Sequence, residues 1–566
     1  MNYIRKINEH PVLYSIVFNA LLLIAYILSG TVKYEVSDDF IMQMTVSGGY
    51  GSPSPYIIFM SPIVGQLLCF LFNVSKELNW YILFQILIIF LSLSYILYCM
   101  LVKRSTISNF LGVTFILFFS ADLYQLMQFT KTASIALVAA VFAGFQIIFE
   151  GKSRDTIFLI LFAVCGLLIR LSAFFVVIPL SSIAFIFIGL TKRNSIFLKK
   201  ILIFCVTMLG LYTGTMVCNK YIQNNDNQIN DYNIIHSNRA KIIDYEYVPF
   251  DAIQEELESI GVSRTDYDSL WDWTFSDPMV FNQNSFEEIQ LILQNYRAVH
   301  KPSIKSILKT LLTKKMWLYV SFWFCAICLV FLFVFDKSTI WIGLILGVIT
   351  LALMMTHVYI GRLVYRVEFS YFLCYGSLLM LLLNSKNDLN SLNSHKITLI
   401  LRVFIIVLFM FKFISLLPSM PVDRYYIMYE SWNNDLRKYR LKFNDRDLPE
   451  LIDYFENNCD NTYYFDFNTG IQTYYLAFDP ISSSTEYFEN VQYLCGVDYL
   501  NPARNEWAKR RALTGTIQDL LKDGVYLVDS HDSLMSEIYL RERYGENIKS
   551  RFVDEIGGFK IWKITR

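Results

Sequence analysis

Apolar residues come in long blocks through the first three-quarters of this chain, and polar residues gather in two long stretches between and after them. The blocks run to roughly 16–22 residues, enough to cross about 30 Å of hydrocarbon at 1.5 Å per residue. They predict about eleven membrane-spanning helices: Pro11–Leu28, Trp80–Leu101, Ile107–Ala121, Ala133–Phe149, Ile157–Arg170, Leu171–Leu190, Ile201–Val217, Met316–Phe335, Ile340–Tyr359, Phe369–Leu383 and Ile397–Leu417. The polar stretches are Asn219–Lys315 and Pro418–Arg566.

Short loops rich in Lys and Arg stay in the cytoplasm. The basic clusters are Arg5/Lys6, Lys103/Arg104, Lys152/Arg154, Lys192/Arg193 with Lys199/Lys200, Lys337, and Lys386 with Lys396. With the spans above they all fall on one side, so the N-terminus is expected inside and the C-terminus outside. Two ambiguous segments follow from that parity. Tyr56–Phe72 is apolar enough to cross, but a crossing there would move Lys103/Arg104 outside. It therefore reads as an interfacial or re-entrant helix on the outer face, in keeping with Pro55, Pro62 and Gly65. Ile157–Leu190 reads as a hairpin with Arg170 at its outer turn. Lys301, Lys305, Lys309, Lys314 and Lys315 crowd the outer end of the eighth span and run against the rule, which is weaker for long translocated loops.

The expected organisation is a transmembrane module over 1–218 whose first outer loop spans 29–79, a loop domain over 219–315, a second transmembrane module over 316–417, and an α/β domain over 418–566. In the last, Tyr463–Phe467 and Gly524–Asp529 read as strands and Asp532–Tyr544 as a helix. Ile548–Val553 and Phe559–Ile564 read as a pair closed at Gly557-Gly558. The fold class is thus a polytopic α-helical membrane protein with a C-terminal α/β domain.

Composition agrees: 54% of the 566 residues are hydrophobic and 17% charged, against about 25% charged in soluble proteins. The formal net charge of zero gives no electrostatic case for nucleic acid. No Cys/His cluster has zinc spacing, and neither G-x-G-x-x-G nor a P-loop occurs. Most cysteines lie in apolar blocks and read as small core residues; Cys459 and Cys495 lie in the C-terminal region and are a candidate pair if that region is extracytoplasmic. Arg5 and Lys6 before an apolar run without a small-residue cleavage site read as an uncleaved first span.

Candidate chemistry sits at the outer ends of the spans. Asp38 and Asp39, in the first outer loop, suit a general base with an adjacent acid that orients the acceptor or holds a metal. Their alternative role is capping: Ser37 or Asp38 capping a short helix through Phe40–Met44. Arg170, between apolar runs, is costly unless paired or facing a polar space, and guanidinium matches phosphate; otherwise it snorkels to the interface. Arg362 and Arg366, four apart, share a helix face and suit phosphate, or else form a surface pair with Glu368 or touch headgroups. Lys131 is a further cation of this kind or an interfacial anchor. Lys301–Lys315 reads as an amphipathic helix on anionic lipid. Trp271-Asp272-Trp273-Thr274-Phe275 reads as a small-domain core or a sugar-stacking surface.

This arrangement resembles the GT-C superfamily of membrane glycosyltransferases. The likeness lies in Ser37-Asp38-Asp39, the Gly48–Gly51 turn, the interfacial Tyr56–Phe72 segment, Asn79-Trp80-Tyr81 opening the next span, and Leu168-Ile169-Arg170-Leu171 before a Pro179-containing span. Asn238-Arg239-Ala240 with Asp244-Tyr245, and Gly261-Val262-Ser263 with Asp266-Tyr267, resemble an outer-loop pattern of such proteins. The resemblance implies a polyprenyl-phosphate-linked sugar donor, a glycan or lipid-linked acceptor, and catalysis on the outer face of a bacterial plasma membrane. It implies a base at Asp38 or Asp39 and donor phosphate held by Arg170, Arg362 or Arg366. Some members use a divalent metal such as Mg or Mn and others do not. The rival expectations are a transporter or flippase, which needs polar residues along a midplane path, and a non-catalytic subunit of envelope polysaccharide assembly.

Overall fold

A computed structural model describes residues 9–30, 32–49, 51–314, 316–385, 404–405, 407, 448–467, 469–470, 480–481, 489–529 and 534–566. Helix α1 (Pro11–Leu28) leads to a short strand β1 (Lys33–Tyr34), then α2 (Ser37–Ser47), α3 (Pro62–Val74), α4 (Trp80–Leu101) and α5 (Thr106–Tyr124). Strand β2 (Leu126–Met127) precedes α6 (Phe129–Phe149), α7 (Thr156–Ile169), α8 (Ala173–Thr191) and α9 (Ser195–Asn224). Among the described residues eight helices are long and apolar enough to cross a membrane: α1, α4, α5, α6, α8, α9 and, later, Ile340–Tyr359 and Tyr365–Asn384. The expected eleventh span, Ile397–Leu417, lies largely outside the described residues.

Helix α6 is the axis of the bundle, buried along nearly its whole length and packed by α4, α7, α8 and Tyr365–Asn384. Small residues permit the approach. A Cβ on Gly166 of α7 would lie 3.0 Å from the Ala133 carbonyl, and one on Gly144 would lie 2.6 Å from the Phe204 ring of α9. The apolar run 157–190 breaks at Arg170, whose N–H bonds to the Gly166 carbonyl and whose carbonyl accepts from Ala173, as the hairpin reading expects.

The 56–72 segment is not one continuous helix. Residues 51–61 are irregular and only α3 is helical, 13 residues or about 20 Å long. It is fixed at its start by Ser61, which donates to Asn219 at 2.6 Å and to the Leu168 carbonyl through its backbone.

The stretch after α9 is helical: α10 (Asn227–Ile243), α11 (Gln254–Ser259), α12 (Arg264–Trp271), α13 (Gln283–Val299) and α14 (Ile304–Thr313). Polar side chains fix their starts, including Asp226 before α10 and reciprocal capping boxes at Ser263 and Asn282. Helix α14 is amphipathic, with Ile307 and Leu311 buried and Ile304, Leu308 and Leu312 exposed. Lys314 just after it pairs with buried Glu368 at 2.7 Å. Then come α15 (Val320–Phe335), α16 (Ile340–Tyr359) and α17 (Tyr365–Asn384).

The C-terminal region contains α18 (Leu448–Asn457), β3 (Thr462–Phe465), β4 (Val491–Tyr493), α19 (Pro502–Arg510), β5 (Val525–Val528), α20 (Met535–Tyr544), β6 (Lys549–Ile556) and β7 (Phe559–Thr565). They form one sheet in the order β4-β3-β5-β7-β6, with β3 parallel to β4 and β5, and β7 antiparallel to β5 and β6. Gly557 and Gly558 close the last hairpin with φ of 54° and 79°, the left-handed pair that a two-residue turn demands. Strand β4 is a finding beyond the sequence expectation; three residues are too few for an alternating pattern to register. Cys459 and Cys495 do not pair: the first is exposed, the second buried, and both are free.

The loop stretch and the C-terminal region share one core. Ile242, Leu257, Phe275 and Leu293 pack in the same cluster as Tyr464, Leu527, Tyr539 and Ile564. Tyr539 and Tyr544 both donate to Asp277. This joint body sits on the first loop: Asn501 donates to the Tyr56 carbonyl and Arg510 to Ser52. Gly51, at φ 132°, has Trp507 and Ala503 so close that a Cβ would lie 3.0–3.1 Å from them.

The short basic loops meet at the other end of the bundle. Lys103 pairs with Glu150 at 2.6 Å, Lys192 donates to the Ser385 carbonyl, and Lys200 to that of Ile148.

Candidate active site

Three local devices hold α2 and with it the acid pair. Strands β1 and β2 pair in parallel, Lys33 opposite Leu126 and Tyr34 opposite Met127. Beneath them Glu35 and Lys131 form a wholly buried ion pair at 2.5 Å. Lys131 also donates to the carbonyls of Asp122 and Leu126, both at 2.9 Å, so all three of its ammonium hydrogens are engaged. The third device is a polar knot in which Asn79 donates to Gln43 and Tyr34, and Tyr34 to Gln43.

The two aspartates occupy different environments. Asp39 is fully buried, and its Oδ1 accepts from Tyr81 at 2.9 Å, Gln85 at 3.0 Å and the Phe129 N–H at 3.2 Å. Burial pushes its carboxyl up to about 8, against the lowering effect of Gln85 and Tyr81. It ties the start of α6 to α2. Asp38 is only half-buried. Burial raises its carboxyl above the usual range; Arg366, Arg239 and Arg170 counter that rise, and Asp244 adds to it. Neither acid serves as the expected cap. The residue before the helix is Val36, and no side chain bonds the free N–H groups there. Both acids fall in the first turn of α2, where the helix dipole favours negative charge.

Arginines from three segments, Arg366, Arg239 and Arg170, act on Asp38. Arg170, at the α7–α8 turn, lies over the rings of Phe59 at 4.9 Å and Phe129 at 5.4 Å. Burial and the charges of Arg366 and Arg362 lower its guanidinium to about 10. Arg362, between α16 and α17, pairs with Asp244 at 2.7 Å; Arg366 opens α17. Arg239 of α10 is 2% exposed and lies 4.7 Å from the Trp273 ring. Its Nη2 is 3.1 Å from Nε2 of His236, and its Nη1 is 3.7 Å from Asp244, too far for a hydrogen bond. His236 packs edge-on against Phe59, which stacks on Phe129. Burial and then Arg239, Arg170 and Arg362 hold His236 well below its ordinary value, so the imidazole is neutral and accepts from Arg239. Trp273 adopts φ 59°, a strained backbone for an aromatic residue. It stacks on Phe467 at 4.3 Å and so joins the cluster to the C-terminal sheet, while Phe275 is buried in the core.

Of the residues expected from sequence, Asp38, Arg170, Arg362 and Arg366 meet in this cluster. Asp39 supports it from beneath, and Lys131 is committed to Glu35 rather than turned towards an anion. Arg239 and Asp244 stood out in sequence only as part of an outer-loop pattern, with no chemical role assigned, and His236 was not singled out. The signal for them was faint: His236 and Arg239 three apart on one helix, with Asp244 shortly after. Their charges matter only because α10 lies against the bundle.

Three buried donors in the cluster lack hydrogen-bond partners among the described residues: Nε and Nη1 of Arg239 and Nε of Arg170. Buried guanidinium N–H groups without acceptors are costly, and an anion satisfies them. The donor set suits a divalent cation poorly, since the charges of Arg366, Arg239 and Arg170 act on Asp38. Among the described residues no group of three His, Cys, Asp or Glu side chains is gathered as a metal-binding set. No protein-family model matches this chain, and neither a curated protein nor a solved structure matches it.

Proposed function

We propose that this protein is an inverting glycosyltransferase of GT-C type that moves a sugar from a polyprenyl-phosphate donor to a cell-envelope glycan or glycolipid. The observation that carries the reading is the gathering of Arg170, Arg239 and Arg366, from three separate segments, around one half-buried aspartate. A phosphate is the ligand that planar, bidentate guanidinium donors recognise best, and a carboxylate among them is left over for proton transfer. Arg170 and Arg366 neutralise the donor phosphate. Asp38 takes the proton of the acceptor hydroxyl. The acceptor oxygen forms a bond to the anomeric carbon as the bond from that carbon to the phosphate oxygen breaks. The electron pair leaves with polyprenyl phosphate, whose charge the arginines hold. Asp39 fixes the start of α2 and α6 and so aims Asp38.

The short basic loops lie at the end of the bundle away from this cluster. The positive-inside rule supports a cytoplasmic assignment for that end, and with it a reaction on the outer face of a bacterial plasma membrane. The same concentration of charge at one end supports catalysis at a surface over transport through the bilayer. The test is release of polyprenyl phosphate by the full chain in nanodiscs. The probes are undecaprenyl-phosphate-linked glucose, mannose, galactose and arabinose, with an envelope extract as acceptor. Release from one donor that disappears in Asp38→Asn supports the reading, and no release from any donor overturns it.

A further inference from the structure

Helix α14 carries two apolar stripes, and the bundle covers one of them. Ile307 and Leu311 are buried in the large core, where α14 packs on α16. Ile304, Leu308 and Leu312 form the neighbouring stripe and are 71%, 44% and 67% exposed. At 3.6 residues per turn, Lys305 and Lys309 come next around the helix, and Ser306 and Thr310 lie opposite Leu308. The exposed leucines therefore face away from the hydroxyls, with the lysines at their flank. Ser303 caps the start, accepting from the Ser306 N–H at 3.2 Å, so the stripe is already helical before anything meets it.

The place of α14 in the fold says what the stripe meets. Helix α16 is long and apolar enough to cross a membrane and ends at Tyr359. Lys301, just before α14, lies over the Tyr359 ring at 5.5 Å. Lys314, just after it, donates to the Leu363 carbonyl at 2.8 Å. Both ends of α14 are thus held where a spanning helix finishes. Trp317 and Trp323 follow, both exposed, and the Trp323 indole N–H donates to the Trp317 carbonyl. Tryptophan is enriched at the interfacial depth of a bilayer.

Charge narrows the partner. No acid occurs between Glu288 and Asp336, a stretch that holds Arg297, Lys301, Lys305, Lys309, Lys314 and Lys315. Lys314 is committed to Glu368, while Lys301, Lys305 and Lys309 are exposed. A solvated helix commonly mixes the two signs of charge. An outward leucine stripe flanked by lysines alone matches an acyl boundary beneath anionic headgroups.

We infer that α14 docks in the headgroup layer and selects anionic phospholipid there, with Ile304, Leu308 and Leu312 in the acyl boundary and Lys301, Lys305 and Lys309 on headgroup phosphates. Through α13, whose Phe286, Ile289 and Leu293 lie in the shared core, the docked helix anchors the body made by the loop stretch and the C-terminal region. The inference stands apart from the glycosyltransferase reading and survives its failure.

The experiment uses the full chain in a cysteine-free background, with an environment-sensitive dye on Leu308→Cys or on Ser306→Cys. The protein is placed in phosphatidylcholine nanodiscs doped, at equal mole fraction, with headgroup-proximal spin-labelled phosphatidylcholine or phosphatidylglycerol. A lysine at an anionic surface favours it by about fivefold. The expected result is quenching at Leu308→Cys by both lipids, at least threefold more by phosphatidylglycerol, and quenching at Ser306→Cys by aqueous iodide instead. Lys305→Gln/Lys309→Gln should bring the two lipids within about 1.5-fold. High salt, which screens exposed charge, should do the same without touching a lysine, so the test stands if that variant fails to fold. Equal quenching by the two lipids in the unsubstituted helix at low salt overturns the anionic selection. Quenching at Leu308→Cys by iodide alone puts the stripe in water, and quenching by neither agent puts it under protein, such as a segment of this chain outside the described residues. Either result overturns the docking itself.

Discussion

Asp38→Asn and Asp39→Asn separate a proton acceptor from a structural acid that is its neighbour in sequence. At Asp38 the amide keeps the size and polarity of the side chain but cannot take a proton. Loss of a general base costs about 10²–10⁴-fold in rate, or roughly 3–5 kcal/mol of barrier at about 1.4 kcal/mol per tenfold. At Asp39 the expectation is the opposite. Its carboxyl is held up to about 8 by burial, so near pH 7 the folded protein already carries it neutral. An amide reproduces that state, and its oxygen still accepts from Tyr81, Gln85 and the Phe129 N–H. The folded carboxyl keeps its proton to about pH 8, while the unfolded one releases it near 4. The folded state therefore binds more protons across that window, and wild-type stability falls as pH rises from about 4 to 8, then levels. Over the window the Asp39 contribution is on the order of 5 kcal/mol. Asp39→Asn lacks this slope, so its melting temperature should gain on wild type at pH 9 relative to pH 5, with turnover kept within about tenfold. The assay pairs turnover of each purified variant in nanodiscs with thermal unfolding at the two pH values. Asp38 sets a further sign: its carboxyl is raised by burial, and the base must be ionised, so wild-type turnover should fall as pH drops through a value above the ordinary carboxylate range. Near-normal turnover in Asp38→Asn, or abolished turnover in a well-folded Asp39→Asn, refutes the division of roles.

Lys131→Met should destabilise the protein by about 3–5 kcal/mol by removing the buried cation that pairs with Glu35, and Glu35→Gln/Lys131→Met should recover part of the loss; thermal melting of the single and double variants checks this, and equal melting of Lys131→Met and wild type contradicts it. Gly65→Ala should cost about 1–3 kcal/mol, because its Cβ would lie 1.9 Å from the Pro55 carbonyl oxygen and must shift the 51–61 segment; an unchanged melting curve counts against that packing. In a cysteine-free background, Glu255→Cys and Arg551→Cys should label with an impermeant maleimide in intact cells and Arg104→Cys only after permeabilisation. The reverse pattern inverts the proposed orientation.

The sequence by itself determined what depends on local composition. Apolar blocks of spanning length marked the membrane helices, because hydrocarbon imposes its thickness on every crossing helix. The break at Arg170, the interruption of the 56–72 segment and the Gly557-Gly558 hairpin were also legible, since charge, proline and paired glycines act within a few residues of where they stand. Acids and arginines at the ends of apolar runs stood out by their cost. The tertiary structure decided which of them belong together. Asp38 and Asp39 are adjacent in the chain and indistinguishable by spacing, yet α2 turns one towards Arg366 and Arg170 and seats the other beneath Tyr81 and Gln85. Lys131 looked like another anchor or anion contact until β1 and β2 brought Glu35 to it. Arg239 and His236 lie on a polar helix with Asp244 just after it, and the sequence assigned none of them a chemical role. They come together with the bundle because α10 docks beside Phe59 and Trp273. Burial and the approach of charges distant in sequence set what each ionisable group can do, and neither is a property of its neighbours along the chain.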